Sequence, residues 1–266
     1  MNERELFYES IAEEFDSLIN PYDLQRRLEV VFDELLPEDL SGVRVLDLGC
    51  GSGWFSQRAR QRGANVISLD ISRSLVGITR QRTQGMVLVA DAGLTPFASE
   101  SFRLIVSSEM LEHLKDPSRG VTEIGRILAP GGIAAITTPN RIWLWLIRLA
   151  TRLRIRPYRG YENFLGYDEL HKLLKLAGLE IELHQGFHPW PFQFAFLRPI
   201  SHRVDRRCGP GLWGKRMVNQ AVRARKRVLR TESPARSPTR DRQGFGEPPK
   251  GIRQRRRKAS FQSGGP

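Results

Sequence analysis

The chain has 266 residues, 40% of them hydrophobic, and a formal net charge of +13. That length suffices for one sizeable α/β core and a small appendage. Its two cysteines, Cys50 and Cys208, exclude a disulfide framework and a four-ligand zinc site. No apolar run reaches the 18 residues of a spanning helix, and no basic start with an apolar run marks a secretion signal, so a cytoplasmic location is expected. The charge is uneven. Residues 198–266 hold 20 Lys and Arg against 4 Asp and Glu, whereas residues 1–197 hold 22 against 25.

In chain order, Ile11, Phe15, Leu18 and Ile19 recur at helical spacing. Asn20 as N-cap, Pro21 at the first helical position and Asp23 in the first turn then start a second helix to about Leu36. Residues 1–42 are read as a helical cap. Val43, Val45, Leu46 and Leu48 form a short buried strand that runs into Asp47-Leu48-Gly49-Cys50-Gly51-Ser52-Gly53, and an amphipathic helix follows from Trp54. Glycines at such a junction let a ligand approach bare backbone, and the helix start offers unpaired N–H groups with a favourable dipole. The spacing is G-x-G-x-G, not the G-x-G-x-x-G of dinucleotide-binding folds.

Asn65 to Asp70 reads as a second strand ending in an acid. Asp70 lies about twenty residues past the first glycine, where such an acid accepts from ribose hydroxyls in nucleotide-binding α/β folds; its alternative is to cap the next helix, a role open to Ser72. Met86 to Asp91 is a third strand ending in an acid, followed by Ala92. Ser101 to Ser108 gives a fourth, and Glu109-Met110-Leu111-Glu112-His113 follows directly. If helical, Glu109, Glu112 and His113 share one face. His113 is then a candidate general base or substrate-positioning group, the cluster a candidate metal site, or the stretch a mere helix start. A helix stopped by Pro130-Gly131-Gly132 and a strand from Ile133 to Thr138 end at Pro139-Asn140-Arg141.

The G-x-G-x-G turn resembles motif I of the class I S-adenosylmethionine-dependent methyltransferases. The order E-M-L-E-H, L-x-P-G-G, strand, T-P-N-R is similar to that of the ubiquinone-biosynthesis O-methyltransferases and their broader relatives. The resemblance runs from about Tyr8 to Leu197. It implies a Rossmann-like α/β fold with a seven-stranded, mostly parallel sheet whose last strand is antiparallel, together with N-terminal helices; the disordered basic tail is read from composition. It also implies S-adenosylmethionine as cofactor, with Asp47 and the backbone of Gly49, Cys50, Gly51 and Gly53 at the methionine end. Asp70 and Ile71 would serve the ribose, Asp91 the adenine amino group and Ala92 the ring. Tyr8, Arg26 or Arg27 would cover the cofactor, Arg27 being the one assigned to it along with Ser108. Glu109 and His113 are the catalytic candidates, and no metal is assigned. The implied activity is O-methylation of a small or lipid-linked hydroxyl compound. An RNA or protein methyltransferase guided by its arginine tail, or a nucleotide-binding module without catalysis, is the alternative.

Residues 141–161 form an insertion. As a helix it would set Arg141, Arg148, Arg152 and Arg156 opposite Ile142, Leu146, Leu149 and Leu153. Such a face suits a peripheral membrane contact, and equally a lid packed over the substrate pocket. Tyr167 to Gly178 reads as a helix, and Leu179 to Phe187 and Phe192 to Leu197 as the terminal hairpin, closing a domain of residues 43–198. His184 reads as a strand residue and His188 as a turn residue, with a substrate contact at the pocket rim as the alternative for His188. From 199 to 266 the chain reads as a disordered basic tail that binds nucleic acid or anionic membrane only nonspecifically.

Overall fold

A computed structural model describes residues 7–153, 160–191 and 195–228. The chain divides between residues 229 and 230, and the structural account concerns the first unit. The expected tail beyond it, including Arg255 to Lys258, lies outside the described residues.

Seven strands make one sheet: β1 (Arg44–Leu48), β2 (Asn65–Asp70), β3 (Met86–Val89), β4 (Phe102–Ser108), β5 (Leu128–Pro139), β6 (Leu179–Phe187) and β7 (Asn219–Lys226). Their order is β3-β2-β1-β4-β5-β7-β6. β1 to β5 pair in parallel, and β7 runs antiparallel to both β5 and β6. The helices are α1 (Phe7–Ser10), α2 (Phe15–Leu18), α3 (Pro21–Glu29), α4 (Trp54–Gln61), α5 (Arg73–Thr83), α6 (Pro117–Ile127), α7 (Leu144–Arg152), α8 (Tyr167–Leu176) and α9 (Arg198–Cys208).

The expected start of α3 is present: Asn20 Oδ1 accepts from the amides of Tyr22 (3.0 Å) and Asp23 (3.4 Å), with Pro21 in the first turn. A wider π-helical stretch, Val30–Leu35, continues it and buries Val30, Val31, Phe32 and Leu35. These residues meet Phe55 and Ala59 of α4 on one face of the sheet. On the other face, Val121, Ile124 and Ile127 of α6 and Leu170 and Leu174 of α8 cover Leu46, Leu48 and Ile105. Burial on both faces explains why β1 and β4 read as nearly continuous apolar runs. Ser72 caps α5 through the Leu75 amide at 3.1 Å, and Asp116 caps α6 through Ser118 at 3.0 Å.

Three expectations need correction. The strand expected over Phe192 to Leu197 is not the seventh: residues 195–197 form a 3₁₀ turn leading into α9, while residues 192–194 lie outside the described residues. The seventh strand is β7, inside the segment read as disordered tail, so the domain runs to about residue 228 rather than 198. Its alternation is Ala221, Val222 and Ala224, all fully buried, against Arg223 and Arg225, which both pair with Glu182 of β6. The two arginines share one carboxylate some forty residues upstream, a pairing that composition alone does not reveal. α9 is bound in as well, since its buried Asp205 accepts from the buried Arg26 of α3 at 3.1 Å. Finally, Glu109 to His113 is no α-helix: only Leu111–His113 forms a 3₁₀ turn, and Glu109 precedes it with φ +51°.

Truncation after residue 228 should therefore leave a cooperative thermal melt, whereas truncation after Leu197 removes α9 and β7 and should abolish it. Circular dichroism melts of the two proteins check this.

Candidate active site

The glycine turn lies between the carboxyl end of β1 and α4. Gly49 has φ +78°, and a Cβ there would sit 2.2 Å from Met110 Cγ; at Gly53, φ +90°, it would sit 3.1 Å from Thr79 Cα. Both positions thus need glycine for backbone angle and for space. The Gly51 amide donates to Asp70 Oδ2 at 2.9 Å, and Asp70 Oδ1 accepts from the Ser72 amide at 3.0 Å. This carboxylate ties the turn to the end of β2, yet two accepted bonds leave it further lone pairs for a ligand. Burial pushes its pKa above the usual range, against the pull of the amides at Ser72 and Gly51. Ile71 follows, half-buried; Asp91 at the end of β3 is exposed and accepts from the Gly93 amide at 2.7 Å, with Ala92 buried beside it.

Asp47 and Cys50 sit differently. Asp47 is 2% exposed and accepts from Ser56 Oγ at 2.5 Å, between the sheet and α4, so its carboxyl does not open onto the rim. Burial raises it to about 7. The Cys50 thiol is buried 3.7 Å from Thr79 Oγ1, its pKa pushed well up by burial, and it fills the turn.

The N-terminal segment straps this rim. Glu9 accepts from Ser72 Oγ (2.6 Å) and Ser74 Oγ (2.5 Å) at the start of α5. Asp16 accepts from Ser52 Oγ (2.5 Å) and Trp54 Nε1 (3.1 Å) and pairs with Arg82. The Phe15 ring lies against Gly51, where a Cβ would come within 3.2 Å of it. Tyr8 reaches further, its hydroxyl 2.8 Å from His113 Nε2.

His113 belongs to a second, buried half of the rim at the ends of β4, β5 and β7. Its Nδ1 is 3.1 Å from the Tyr161 carbonyl oxygen. Glu112 is 1% exposed and accepts from Thr138 Oγ1 at 3.0 Å; burial, then the neighbouring Glu109, push it well above the usual range. Glu109 is held in the left-handed region by its amide's bond to the Thr137 carbonyl at 2.9 Å, a conformation that costs a non-glycine residue on the order of 1 kcal/mol. Its Oε2 accepts from Asn219 Nδ2 at 3.0 Å. Burial raises Glu109 to about 7, opposed by Arg27 and abetted by Asp23. Ser108 Oγ lies 2.8 Å from Thr137 Oγ1.

The structure brings Arg27 to Asp23, Glu109 and Glu112. Its Nε donates to Asp23 Oδ2 at 2.9 Å and its charge acts on Glu109 and Glu112. His188, read as a turn residue after β6, is fully buried, with Nε2 3.1 Å from Asp23 Oδ1. Asp23, Thr137, Thr138 and Asn219 were not foreseen. The polar ends of β4 and β5, Ser107-Ser108 and Thr137-Thr138, were the available signal, being odd companions for buried strands. Among the described residues no group of three His, Cys, Asp or Glu side chains could hold a metal ion.

Asp47 gives a pH test. Its carboxyl ordinarily titrates near 3.8 and in the fold near 7. Between those values the folded protein keeps a proton that the unfolded chain has released, so this group's effect on stability worsens as pH rises towards 7. Asp47→Asn should stabilise the protein at pH 8 by up to about 3 kcal/mol, and the gain should vanish by pH 4, as read by urea unfolding at both pH values.

The S-adenosylmethionine implied by motif I fits these residues. The turn offers backbone unobstructed by side chains of its own, and Asp70 keeps acceptor capacity at the end of the next strand. Comparison with known proteins agrees. The methyltransferase-domain family matches residues 22–184. A ubiquinone biosynthesis O-methyltransferase of Rhizobium etli (strain CIAT 652) is 31% identical over 183 residues, 64% of this chain and 70% of that protein. A biotin biosynthesis bifunctional protein of Cellvibrio japonicus is 30% identical over 204 residues, 73% of this chain and 39% of that protein. In fold, the chain is similar to an S-adenosylmethionine-dependent methyltransferase from Mesorhizobium loti, with TM-score 0.58 and 24% identity over 76% of this chain and all of that one. With the strand order, the glycine turn and the matched family together, the chain belongs to the S-adenosylmethionine-dependent methyltransferases.

Proposed function

We propose that the enzyme methylates an oxygen of a small or lipid-linked hydroxyl compound. The observation that carries this reading is the state of His113. A carbonyl oxygen can only accept, so Nδ1 carries the proton that faces Tyr161, and in the neutral ring Nε2 then keeps the lone pair. That lone pair already meets a phenolic hydroxyl, Tyr8, at 2.8 Å. A nitrogen arranged to receive a hydroxyl proton serves an oxygen acceptor, which becomes a strong nucleophile only as it loses that proton. A neutral amine has its lone pair to hand. The relatives named ubiquinone biosynthesis O-methyltransferases support the same reaction class.

When bound, S-adenosylmethionine supplies an electrophilic methyl group on its sulfonium. The backbone of Gly49, Cys50, Gly51 and Gly53 would hold the methionine end, with Asp47 acting only through Ser56 and α4. Asp70 and Ile71 would take the ribose, Asp91 and Ala92 the adenine. Ser108 and Arg27 border the acceptor side, where Glu109 orients the acceptor and His113 accepts its proton. The protein's main contribution is alignment of that oxygen with the methyl group.

For a lipid-linked acceptor, α7 is the natural contact. None of its residues is buried; Trp145 (63% exposed), Leu149 and the following Leu153 face solvent beside Arg148 and Arg152. This differs from the expected split, since arginines flank the apolar residues instead of opposing them. Trp143 Nε1 donates to the Arg216 carbonyl at 3.0 Å and joins α7 to a turn that exposes Leu212 and Trp213. Apolar and basic side chains presented together suit an anionic bilayer surface. Among the described residues no helix is long and apolar enough to cross a membrane.

Incubation with methyl-labelled S-adenosylmethionine and a cell extract should give a product labelled on oxygen; label on nitrogen alone overturns the reading. Asp70→Ala should weaken S-adenosylhomocysteine binding roughly 10- to 100-fold in calorimetry. His113→Gln should leave that binding intact while lowering kcat at least 100-fold. The protein ending at residue 228 should float with phosphatidylglycerol vesicles and lose most of that binding as Trp145→Ser/Leu149→Ser; absence of flotation would favour α7 as a pocket lid.

A further inference from the structure

The two edges of the sheet are finished differently. On β6 the Gly186 amide donates to the Gly209 carbonyl at 2.9 Å, the Tyr167 hydroxyl donates to the His184 carbonyl at 2.8 Å, and Glu180 and Glu182 put charge on the strand. β3 has none of these defences. It reads Met86-Val87-Leu88-Val89, with no charge and no proline, and among the described residues its one strand partner is β2. Met86 is 65% exposed and Val89 42%. Folded proteins ordinarily blunt such an edge, because its unpaired backbone is a template for another strand.

The pairing with β2 shows which backbone groups are open. Just past the strand, the Ala90 amide donates inward to the Asp70 carbonyl at 3.0 Å. Backbone groups alternate between the two sides of a strand, so Leu88 and Met86 also bond towards β2, and the amides and carbonyls of Val87 and Val89 point outward.

Charge beside the edge narrows what can occupy it. α5 buries Leu75, Val76, Thr79 and Thr83, and its Arg82 lies over the Trp54 ring of α4. The stripe on the side away from α4 is Arg73, Gly77, Arg80 and Gln84, at i, i+4, i+7 and i+11. Arg73 and Arg80 are exposed, and neither pairs with a carboxylate among the described residues; Glu9, at the start of α5, is taken up by Ser72 and Ser74. Seven residues of helix separate the two arginines by about 10 Å, which is also the length of a four-residue strand. Gly77 stands between them. A glycine weakens the middle of a helix, and a Cβ here would meet nothing within 4 Å, so no internal neighbour requires it; it leaves the flank low where a partner would approach. A second copy of this chain fits the edge poorly, since pairing β3 with itself about a two-fold axis would set the same arginines against each other.

We propose that β3 is a docking edge for a partner protein, which adds an extended segment as an eighth strand and turns alternate acidic side chains towards Arg73 and Arg80. Backbone bonds to Val87 and Val89 supply the affinity, and the arginines supply the choice of sequence. The edge lies on the opposite side of the sheet from β7 and β6, so this docking is independent of which atom the enzyme methylates.

The test uses the full chain and two dye-labelled peptides, Glu-Val-Glu-Val-Glu-Val and Lys-Val-Lys-Val-Lys-Val, with fluorescence anisotropy for binding and NMR for amide hydrogen exchange. The acidic peptide should slow exchange at Val87 and Val89 at least about fivefold, leave Met86 and Leu88 little changed, and bind more tightly than the lysine peptide. Arg73→Glu/Arg80→Glu should weaken the acidic peptide at least about fivefold, with S-adenosylhomocysteine affinity and melting temperature retained. The arginine-rich tail is common to both proteins, so its own attraction for acids cancels in that comparison. Should the double variant fail to fold, Gly77→Glu, which places an acid in the open gap, should weaken binding in the same direction. Unchanged exchange at Val87 and Val89, or equal binding by a folded variant, overturns the proposal. So does protection of those amides that rises with protein concentration in the absence of peptide, because a second copy then covers the edge.

Discussion

The site exists because β7 slots antiparallel between β5 and β6. Its backbone fills hydrogen-bond ladders on both sides, from Ile133 to Pro139 on β5 and from Leu179 to Phe187 on β6. Ala221 joins the apolar layer under α3 and α4, and Val222 and Ala224 join the layer under α6 and α8. Without it, β5 and β6 would each present an open edge. The strand also carries Asn219 to the carboxyl end of β5, where Glu109 waits. The connection before it anchors α9 to α3 through Asp205 and Arg26, so α3, which carries Asp23 and Arg27, is braced from behind.

That bracing matters because acids crowd at the rim and just beneath it, in a poorly solvated place. Asp47, Asp70, Glu109 and Glu112 all have their pKa values raised by burial. The fold manages them in two ways. On the glycine-turn side, backbone amides and hydroxyls satisfy the carboxylates, and the strap adds Glu9 and Asp16 only where serines, Trp54 and Arg82 can receive them. In the acceptor half a single guanidinium, Arg27, is shared among Asp23, Glu109 and Glu112. One cation among three carboxyls leaves protons on some of them near neutrality, and groups that hold protons near working pH are useful in a methyl transfer that releases one.

Much of the cofactor half was legible in the sequence because it is local. The G-x-G-x-G turn, the acids ending β2 and β3 and the N-cap at Asn20 are each set within a few residues, so spacing alone locates them. The acceptor half was legible only as a motif. Glu109, Glu112 and His113 were singled out, but on an α-helix that does not form, because the chain leaves β4 through a left-handed residue held by Thr137. β7 was invisible for a different reason: Arg223 and Arg225 raise the local charge to that of a disordered tail, and only pairing with Glu182 makes them compatible with a sheet. The partner of His188 was out of reach likewise, since Asp23 lies 165 positions away.

The placement of Tyr8 ties the two halves together. Its hydroxyl occupies the lone pair of His113 Nε2, and its ring meets the imidazole edge-on at 4.9 Å between centroids. Any acceptor hydroxyl that hands a proton to that nitrogen must take the position the phenol holds, so Tyr8 has to rotate away or α1 has to lift. The described residues of α1 are not buried, and Glu9 ties the helix to α5 through Ser72 and Ser74. The same strap continues through Phe15 over Gly51 to Asp16 on Ser52, so the segment that bears on the glycine turn also bears on His113 Nε2.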